Sequence, residues 1–262
     1  MNKYIAVYKA NFMDNLAYPA RILSGTLGNS AALLVYILLW IAVFKEKESI
    51  GDYTLKSMIL YYMVTYLVRN LTVSGSSARL LQKSVREGTL SIFLQKPIIF
   101  NLYFLVKSLS DKFASFVLPA IILLLVTIKW NPEFYKLSTV LIFTISLILG
   151  VLINHLIYTL LGMISFWTIN INGARSIFGR VTDILSGSVF PLDLLGKTLI
   201  NISKYLPFKF MHFSIVSIYL GKVSFDQALE NILIQVTWIT ILAILYKFIY
   251  QKGIKQYESV GI

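Results

Sequence analysis

The chain has 262 residues and no cysteine; 57% of its residues are hydrophobic, 14% are charged, and its mean hydropathy is +0.73. These values exclude an ordinary water-soluble globular protein, a disulfide framework and a thiolate metal site, and they are typical of a protein that crosses a membrane several times. Lys and Arg outnumber Asp and Glu by 24 to 12, but the basic residues flank apolar segments, which indicates membrane topology and argues against nucleic acid as a partner.

The first predicted element is a helix over residues 4–18. Its apolar residues recur every three or four positions from Ile5 to Leu16, whereas Lys9 and Asp14 fall outside that face. A helix with one apolar and one polar face is expected to lie along the membrane interface.

Six apolar segments follow, and about 20 apolar residues are enough to cross a ~30 Å hydrocarbon core. We therefore predict an all-α, polytopic membrane protein that forms a single transmembrane domain over residues 1–262. The predicted spans are residues 22–44, 57–75, 104–128, 137–163, 172–190 and 229–250.

Span two is interrupted by a single charge, Arg69, which lies about two turns from the end of the span. A charge at the centre of a membrane helix costs roughly 2.5–3.5 kcal/mol on insertion scales. Two interpretations remain open: the long side chain snorkels to the interface, or it contacts a transported molecule.

The segment over residues 79–96 is expected to be an amphipathic helix between spans two and three. Three basic residues before Gly88 are spaced by four and three residues, which places them on one helical face that suits phosphate head groups or an acidic partner. They are Arg79, Lys83 and Arg86. After Gly88, an apolar stripe with the helical period runs from Leu90 to Leu94, and Pro97 ends the helix.

Residues 137–174 carry no Asp, Glu, Lys or Arg, and as one helix these 38 residues would reach about 57 Å, which overshoots the bilayer. The segment either forms span four up to Met163 and continues into span five from Asn172, or folds back as a hairpin near His155. We prefer the first partition because it leaves Arg175 near the cytoplasmic end.

Two pairs of opposite charges are predicted within helices. Lys107 and Asp111 are four residues apart at the start of span three, and Arg180 and Asp183 are three residues apart in span five. Both spacings place the two charges on one helical face. The second pair is expected to face protein or an aqueous path, either in a structural role or in contact with substrate.

After span five, Gly187 and Pro191 interrupt the helix, and Pro207 ends another short helical segment. The stretch over residues 191–207 is too short to cross the membrane and too apolar for an ordinary loop. We expect a re-entrant hairpin on the outer side, whose non-helical backbone is buried in protein or lines a cavity.

The distribution of basic residues predicts that both termini are cytoplasmic. With that orientation, the inner segments hold fourteen Lys and Arg residues, the outer segments hold nine, and Arg69 lies inside a span. Six spans also require both termini to lie on the same side.

Several strings, in this order and spacing, resemble the permease subunits of type-2 ABC exporters, in a branch of similar length that often occurs as paired permeases. They are Gly51-Asp52-Tyr53-Thr54, Glu87-Gly88-Thr89-Leu90 with Lys96-Pro97, Ser186-Gly187, Phe190-Pro191-Leu192 and Leu206-Pro207-Phe208. The resemblance covers essentially the whole chain. One departure is Gly196, which stands where many relatives have a second proline.

The resemblance implies that residues 79–96 form a coupling helix, which docks on a separate ATPase subunit. The residues assigned to that contact are Arg86, Glu87, Gly88, Thr89, Leu90 and Phe93. It also implies that the hairpin caps the translocation path; with the charged residues of the spans, the pathway or gate candidates are Arg69, Arg180, Asp183, Phe190, Pro191 and Pro207. The expected partners are two copies of the ATPase, a second permease (the same chain or a paralogue) and the lipid of a bacterial plasma membrane.

The chain is not expected to be an enzyme by itself. The phosphate-binding pattern Gly-x-x-x-x-Gly-Lys-Ser/Thr is missing, and Gly196-Lys197-Thr198 reproduces only its last three positions. We therefore expect ATP and Mg²⁺ on the partner ATPase and no cofactor on this chain. His155 and His212 lack a second ligand at metal spacing, which favours packing or hydrogen bonding.

The alternative function is an integral membrane enzyme that acts on lipid-linked substrates, which would need clustered acids to hold a metal and a diphosphate. Asp111 and Asp183 are instead isolated from other acidic residues in the sequence. An ion channel or secondary transporter would be favoured by inverted internal repeats, and the sequence shows none. For an exporter, the apolar path is compatible with an amphipathic drug, a peptide or a lipid.

Overall fold

The computed structural model describes residues 2–72, 75–168 and 170–259. These residues form eleven α-helices and no β-strand, which confirms the predicted all-α class. The helices are α1 (Asn2–Ala17), α2 (Pro19–Val43), α3 (Leu55–Thr72), α4 (Gly75–Arg86), α5 (Leu90–Leu94), α6 (Phe100–Trp130), α7 (Leu137–Met163), α8 (Asn172–Leu185), α9 (Lys197–Ser203), α10 (Phe213–Tyr219) and α11 (Phe225–Ser259). Short 3-10 turns cover Pro132–Tyr135, Ile164–Phe166, Leu192–Leu194 and Phe208–Met211.

Three stretches of the described helices are long and apolar enough to cross a membrane: Thr26–Val43, Leu137–Phe166 and Phe225–Tyr257. In α6, only the shorter stretch Pro119–Trp130 is comparably apolar. The helix α8 has 14 residues, or about 21 Å, which is less than the ~30 Å hydrocarbon core. The six-span topology therefore stays a prediction. A single helix passes through His155, so the alternative hairpin does not occur.

The first and last helices meet at one end of the bundle, which we call the terminal end. The Ile99 amide donates a hydrogen bond to the Tyr4 hydroxyl at 2.8 Å, which ties α1 to the start of α6. The rings of Phe100 and Tyr250 lie 6.0 Å apart, which brings the last turns of α11 to the same place. Both the beginning of α1 and the end of α11 therefore lie at this end.

The connections at the opposite end, which we call the loop end, are held together by polar contacts. The Tyr53 hydroxyl donates to the Asp193 carboxylate at 3.0 Å, and the Lys222 ammonium lies 3.2 Å from the same carboxylate. Burial raises the pKa of the Tyr53 phenol, and the neighbouring Asp193 charge raises it further, so the phenol keeps its proton and remains a donor. The Asn131 amide donates to the Tyr219 carbonyl at 2.7 Å.

The predicted single helix over residues 79–96 is wrong in one respect, because the segment is divided into α4 and α5. Gly88 lies between them with a φ of +72°, a left-handed conformation that favours glycine. The helix α4 packs against α7, where a Cβ added to Gly162 would lie 2.8 Å from the Cα of Ala78. The start of α4 is therefore built into the bundle, and only its later turns reach the terminal end.

The helix α1 is fixed to α6 by a carboxylate. The side-chain amides of Asn11 and Asn15 donate to Asp111 Oδ1 at 2.6 and 3.1 Å. The predicted pairing of Asp111 with Lys107 is therefore replaced by contacts with α1, 96 and 100 residues earlier in the chain. The helix predicted over residues 4–18 is present, and its position in a membrane interface stays a prediction.

Between the loop end and α11, the chain enters the middle of the bundle and returns. The carbonyl of Phe210 accepts a hydrogen bond from Gln235 at 2.9 Å and approaches the centre of α7, where a Cβ on Gly150 would lie 3.2 Å from it. The chain then runs back through α10 to Tyr219 at the loop end. The predicted hairpin is thus deepest at Phe208–Met211, later than expected. Its location on the outer side stays a prediction.

We expect Gly162→Ala to destabilise the fold, because its methyl group would meet the backbone of Ala78 and separate α4 from α7. The expected loss is about 1–3 kcal/mol, measured as a lower thermal unfolding midpoint of the purified protein in detergent. The matched control is Gly28→Ala in α2, where nothing lies within 4 Å of the added Cβ. Equal midpoints for the two variants would contradict this packing.

Candidate functional site

An ion pair joins α3 to α8. Arg69 Nη2 lies 3.1 Å from Asp183 Oδ2, and the Ser188 hydroxyl donates to the Asp183 carbonyl at 3.1 Å. The predicted pair between Arg180 and Asp183 is wrong, since Arg180 forms no ion pair within the part of the chain that the structure describes. The charge of Arg69 is met by a carboxylate of another helix, an interaction that neither interpretation of the sequence included.

The end of α8 is held by two tyrosines of α3. The Tyr61 hydroxyl donates to the Gly187 carbonyl at 2.5 Å, and the Tyr62 hydroxyl donates to the Val189 carbonyl at 2.7 Å. Gly187 has a φ of +79°, and an added Cβ would lie 3.1 Å from the Tyr61 hydroxyl. Only glycine fits this turn, because both the backbone conformation and the close approach of α3 disfavour a side chain. The turn sets the position of the preceding carboxylate.

A pocket of about 420 Å³ opens beside the ion pair, between α2, α3, α6 and α8. Three of the six predicted pathway residues line it, namely Arg69, Arg180 and Asp183. A further cation, Lys112, comes from α6. The lining therefore contains three cations and one carboxylate, and that carboxylate is already engaged by Arg69.

The part of the pocket contributed by α2 is apolar and aromatic. Tyr36 of α2 stacks on Tyr62 of α3 with ring centroids 4.8 Å apart, and Ala32 and Leu33 lie in the preceding turn. The volume falls within the ~300–1,000 Å³ of typical ligand sites. A pocket that combines fixed charges with an apolar wall has the chemistry to hold an amphiphilic molecule.

The other three pathway candidates do not line this pocket. Phe190 is 39% exposed, whereas Pro191 and Pro207 are buried. They lie in the connections that lead to and from α9. Their role in a gate stays a prediction.

The residues assigned to a partner ATPase are divided between a surface and a core. Arg86, Glu87 and Gly88 are exposed between α4 and α5. Leu90 is fully buried, and the Phe93 ring packs against the rings of neighbouring aromatic residues at the start of α6. Leu90 and the partly buried Phe93 hold α5 to the bundle, so the exposed residues are the ones available to a partner.

The predicted basic face of α4 is exposed. Arg79, Lys83 and Arg86 all lie on the surface. The Glu87 carboxylate forms ion pairs with Lys83 and Arg86, at 4.0 and 3.7 Å. The sequence analysis missed Ile92, which is 52% exposed on α5. An exposed apolar residue surrounded by polar groups resembles the apolar centre and polar rim of a protein interface.

The two histidines are buried inside the bundle and form hydrogen bonds there. His155 Nε2 lies 2.7 Å from the Asn101 side-chain oxygen, and its Nδ1 lies 3.4 Å from the Ser77 hydroxyl. His212 Nε2 lies 3.0 Å from the Thr72 hydroxyl. Over the described ranges, no group of three or more His, Asp or Glu side chains is arranged to hold a metal. These contacts match the expected role in packing and hydrogen bonding.

Lys112 was not among the predicted pathway residues, although the predicted span over residues 104–128 contains it. The helix α6 begins at Phe100, four residues before the predicted bound, so Lys112 lies near its middle. One signal was available: the uncharged stretch from Phe113 to Ile128 has 16 residues, and about 20 are needed to cross a bilayer. A helix of sufficient length had to extend back through Lys112.

The chain matches a known protein family. The sequence model of a family described as "ABC-2 family transporter protein" matches residues 31–261. No curated protein matches the chain. The matched residues include every residue that lines the pocket and the whole of α4 and α5.

A double-mutant cycle tests which cation pairs with Asp183. For Arg69→Gln and Asp183→Asn we expect a coupling energy of about 1 kcal/mol or more, because either single variant leaves an unpaired charge in the bundle. Thermal unfolding midpoints in detergent measure it. The control cycle, Arg180→Gln with Asp183→Asn, is expected to be additive within about 0.5 kcal/mol. If only the control cycle shows coupling, Asp183 pairs with Arg180, as the sequence spacing predicted, and not with Arg69.

Proposed function

We infer the function from one established fact: the chain belongs to the ABC-2 family of transporters. We propose that it is the permease subunit of an ATP-driven exporter and forms half of the translocation path. The family match over residues 31–261 carries this proposal. The apolar helices of a multi-pass membrane protein support it.

The energy for transport comes, in this proposal, from a separate ABC ATPase that binds ATP and Mg²⁺. The sequence of this chain contains no phosphate-binding loop pattern. Two ATPase subunits act on two permeases, which are two copies of this chain or this chain and a paralogue. ATP binding and hydrolysis then drive the bundle between inward-open and outward-open states.

The terminal end faces the cytoplasm of a bacterial cell in this proposal, so that both chain ends are cytoplasmic. The exposed basic face of α4 supports that orientation, because cytoplasmic segments of membrane proteins are enriched in Lys and Arg. Lys252 and Lys255 in the last turns of α11 add to it. The loop end, with the hairpin that returns through α10, then faces outwards and caps the path.

The ATPase contact consists of the exposed residues between α4 and α5. Arg86 and Glu87 offer charges, and Ile92 offers an apolar anchor on the neighbouring helix. Leu90 and Phe93 hold α5 in place by packing against the start of α6. Gly88 supplies the turn that separates the two helices and leaves this surface open.

The cargo is proposed to be an amphipathic drug, peptide or lipid. The pocket between α2 and α8 supports this class, because it joins charged groups to an apolar wall. A molecule with both polar and apolar parts matches such a lining better than a purely polar solute does.

Glu87→Arg and Ile92→Asp are expected to weaken binding of the ATPase. The first reverses a charge on the proposed contact, and the second places a carboxylate on its apolar anchor. We expect the recovery of ATPase with the tagged permease to fall about tenfold or more, equivalent to ~1.4 kcal/mol. The complex is purified from native membranes, and mass spectrometry identifies and quantifies the subunit that carries an ATP-binding loop.

Glu133→Arg is the matched control, because it makes the same charge reversal on an exposed glutamate at the loop end. It is expected to leave ATPase recovery unchanged. If Glu133→Arg lowers recovery as much as Glu87→Arg does, or if both terminal-end variants retain the ATPase, the proposed contact is wrong.

A further inference from the structure

The pocket between α2, α3, α6 and α8 has more positive than negative charge. Arg69, Lys112 and Arg180 contribute three cations, and Asp183 contributes one carboxylate that is bound to Arg69. The next carboxylate is that of Asp111, which accepts hydrogen bonds from two asparagine amides of α1. Even with Asp111 counted, cations outnumber carboxylates by three to two.

The pocket lies at the middle of helices that are predicted to span the membrane, where an excess of positive charge is costly. Ala32 and Leu33 lie near the middle of α2, and Lys112 lies near the middle of α6. Charged groups far from water need counter-charges or hydrogen-bond partners, and charged residues inside membrane helices accordingly mark ligand paths. Among the described residues, Asp183 is the one carboxylate that lines the pocket, so a bound anion can supply the additional negative charge.

The polar and apolar residues around the cations define what kind of anion fits. The Ser188 hydroxyl and the Asn70 amide already donate to backbone carbonyls, but the Tyr66 hydroxyl and the guanidinium groups are donors that line the pocket. Such donors suit the oxygen atoms of a phosphate, sulfonate or carboxylate. Ala32 and Leu33 of α2 form an apolar wall beside them.

The side of α2 that faces away from the bundle offers a place for an apolar chain. Leu34, Val35 and Leu38 are 59%, 64% and 64% exposed. They lie on the same helical turns as Ala32 and Leu33 at the pocket. A ligand with its head group among the cations can therefore extend its apolar chain along these exposed apolar residues of α2.

We propose that this pocket binds the anionic head group of an amphiphile, with Arg180 and Lys112 as the main cationic contacts and the apolar chain along α2. This deepens the proposed function, because a bound amphiphile that is transported defines the cargo class. Binding itself rests on the pocket alone. It can be measured without the ATPase, so a failure here is distinct from a failure of the proposed coupling.

The test compares two single-chain lipids that share an oleoyl chain and differ only in the head group. The full-length protein in an uncharged maltoside detergent is titrated with lysophosphatidic acid and, separately, with lysophosphatidylcholine, and native mass spectrometry reports the bound fraction. We expect the anionic lipid to bind about tenfold more tightly. Arg180→Gln is expected to abolish this preference, because Arg180 is exposed to the pocket and has no competing ion pair among the described residues.

Two further variants test whether the lipid preference comes from the pocket itself. Arg175→Gln makes the same change on the same helix away from the pocket and is expected to keep the preference. Ala32→Trp fills the pocket from α2 without removing a charge and is expected to lower binding of the anionic lipid. Equal binding of the two lipids by the unmodified protein, or a preference that survives both Arg180→Gln and Ala32→Trp, would overturn the proposal.

The source of the anion is distinguished in lipid discs. Discs of phosphatidylcholine alone are compared with discs that also contain phosphatidylglycerol. If phosphatidylglycerol blocks lysophosphatidic acid, the pocket holds a resident membrane lipid. If the single-chain probe still binds, the pocket selects a free anionic amphiphile, and that class is the candidate cargo.

Discussion

The contact between Arg69 and Asp183 is the interaction on which the arrangement of α8 depends. Along its 14 residues α8 buries little, and Thr182 is its one fully buried side chain. It is therefore held mainly at its end, by this ion pair and by the tyrosine hydroxyls of α3 that reach the following turn. The Arg69 side chain is 40% exposed and the Asp183 side chain 23%, so water screens part of their attraction. The ion pair and the tyrosine hydrogen bonds together define the position of this helix.

This way of fixing α8 also explains why a pocket exists beside it. A helix that buried an apolar face along its length would close the space between α2 and α3, whereas one held at its end leaves that space open. The remaining charges, Lys112 and Arg180, then face a cavity and not a packed core. The same polar residues thus provide both the fold of this region and its affinity for an anion.

Periodicity in the sequence predicts features that are set within one helix, such as its bounds and its exposed face. The bounds of α7, Leu137 and Met163, coincide with the predicted segment, and the face formed by Arg79 and Lys83 is exposed as expected. Contacts between distant helices leave no such signal. Asp183 has a cation three residues away, yet it binds Arg69, which is 114 residues away, because the turn after α8 directs the carboxylate towards α3.

The connection between the terminal end and the pocket follows from the path of the chain. The helix α4 carries the exposed basic face at one end, is fixed to α7 where Gly162 meets Ala78, and follows α3 in the sequence after residues 73–74. Since α3 carries Arg69, the proposed ATPase would act on the ion pair when it displaces α4. This route requires the distance between Arg69 and Asp183 to change during the transport cycle. A cycle in which spin labels on α3 and α8 keep a constant separation would exclude it.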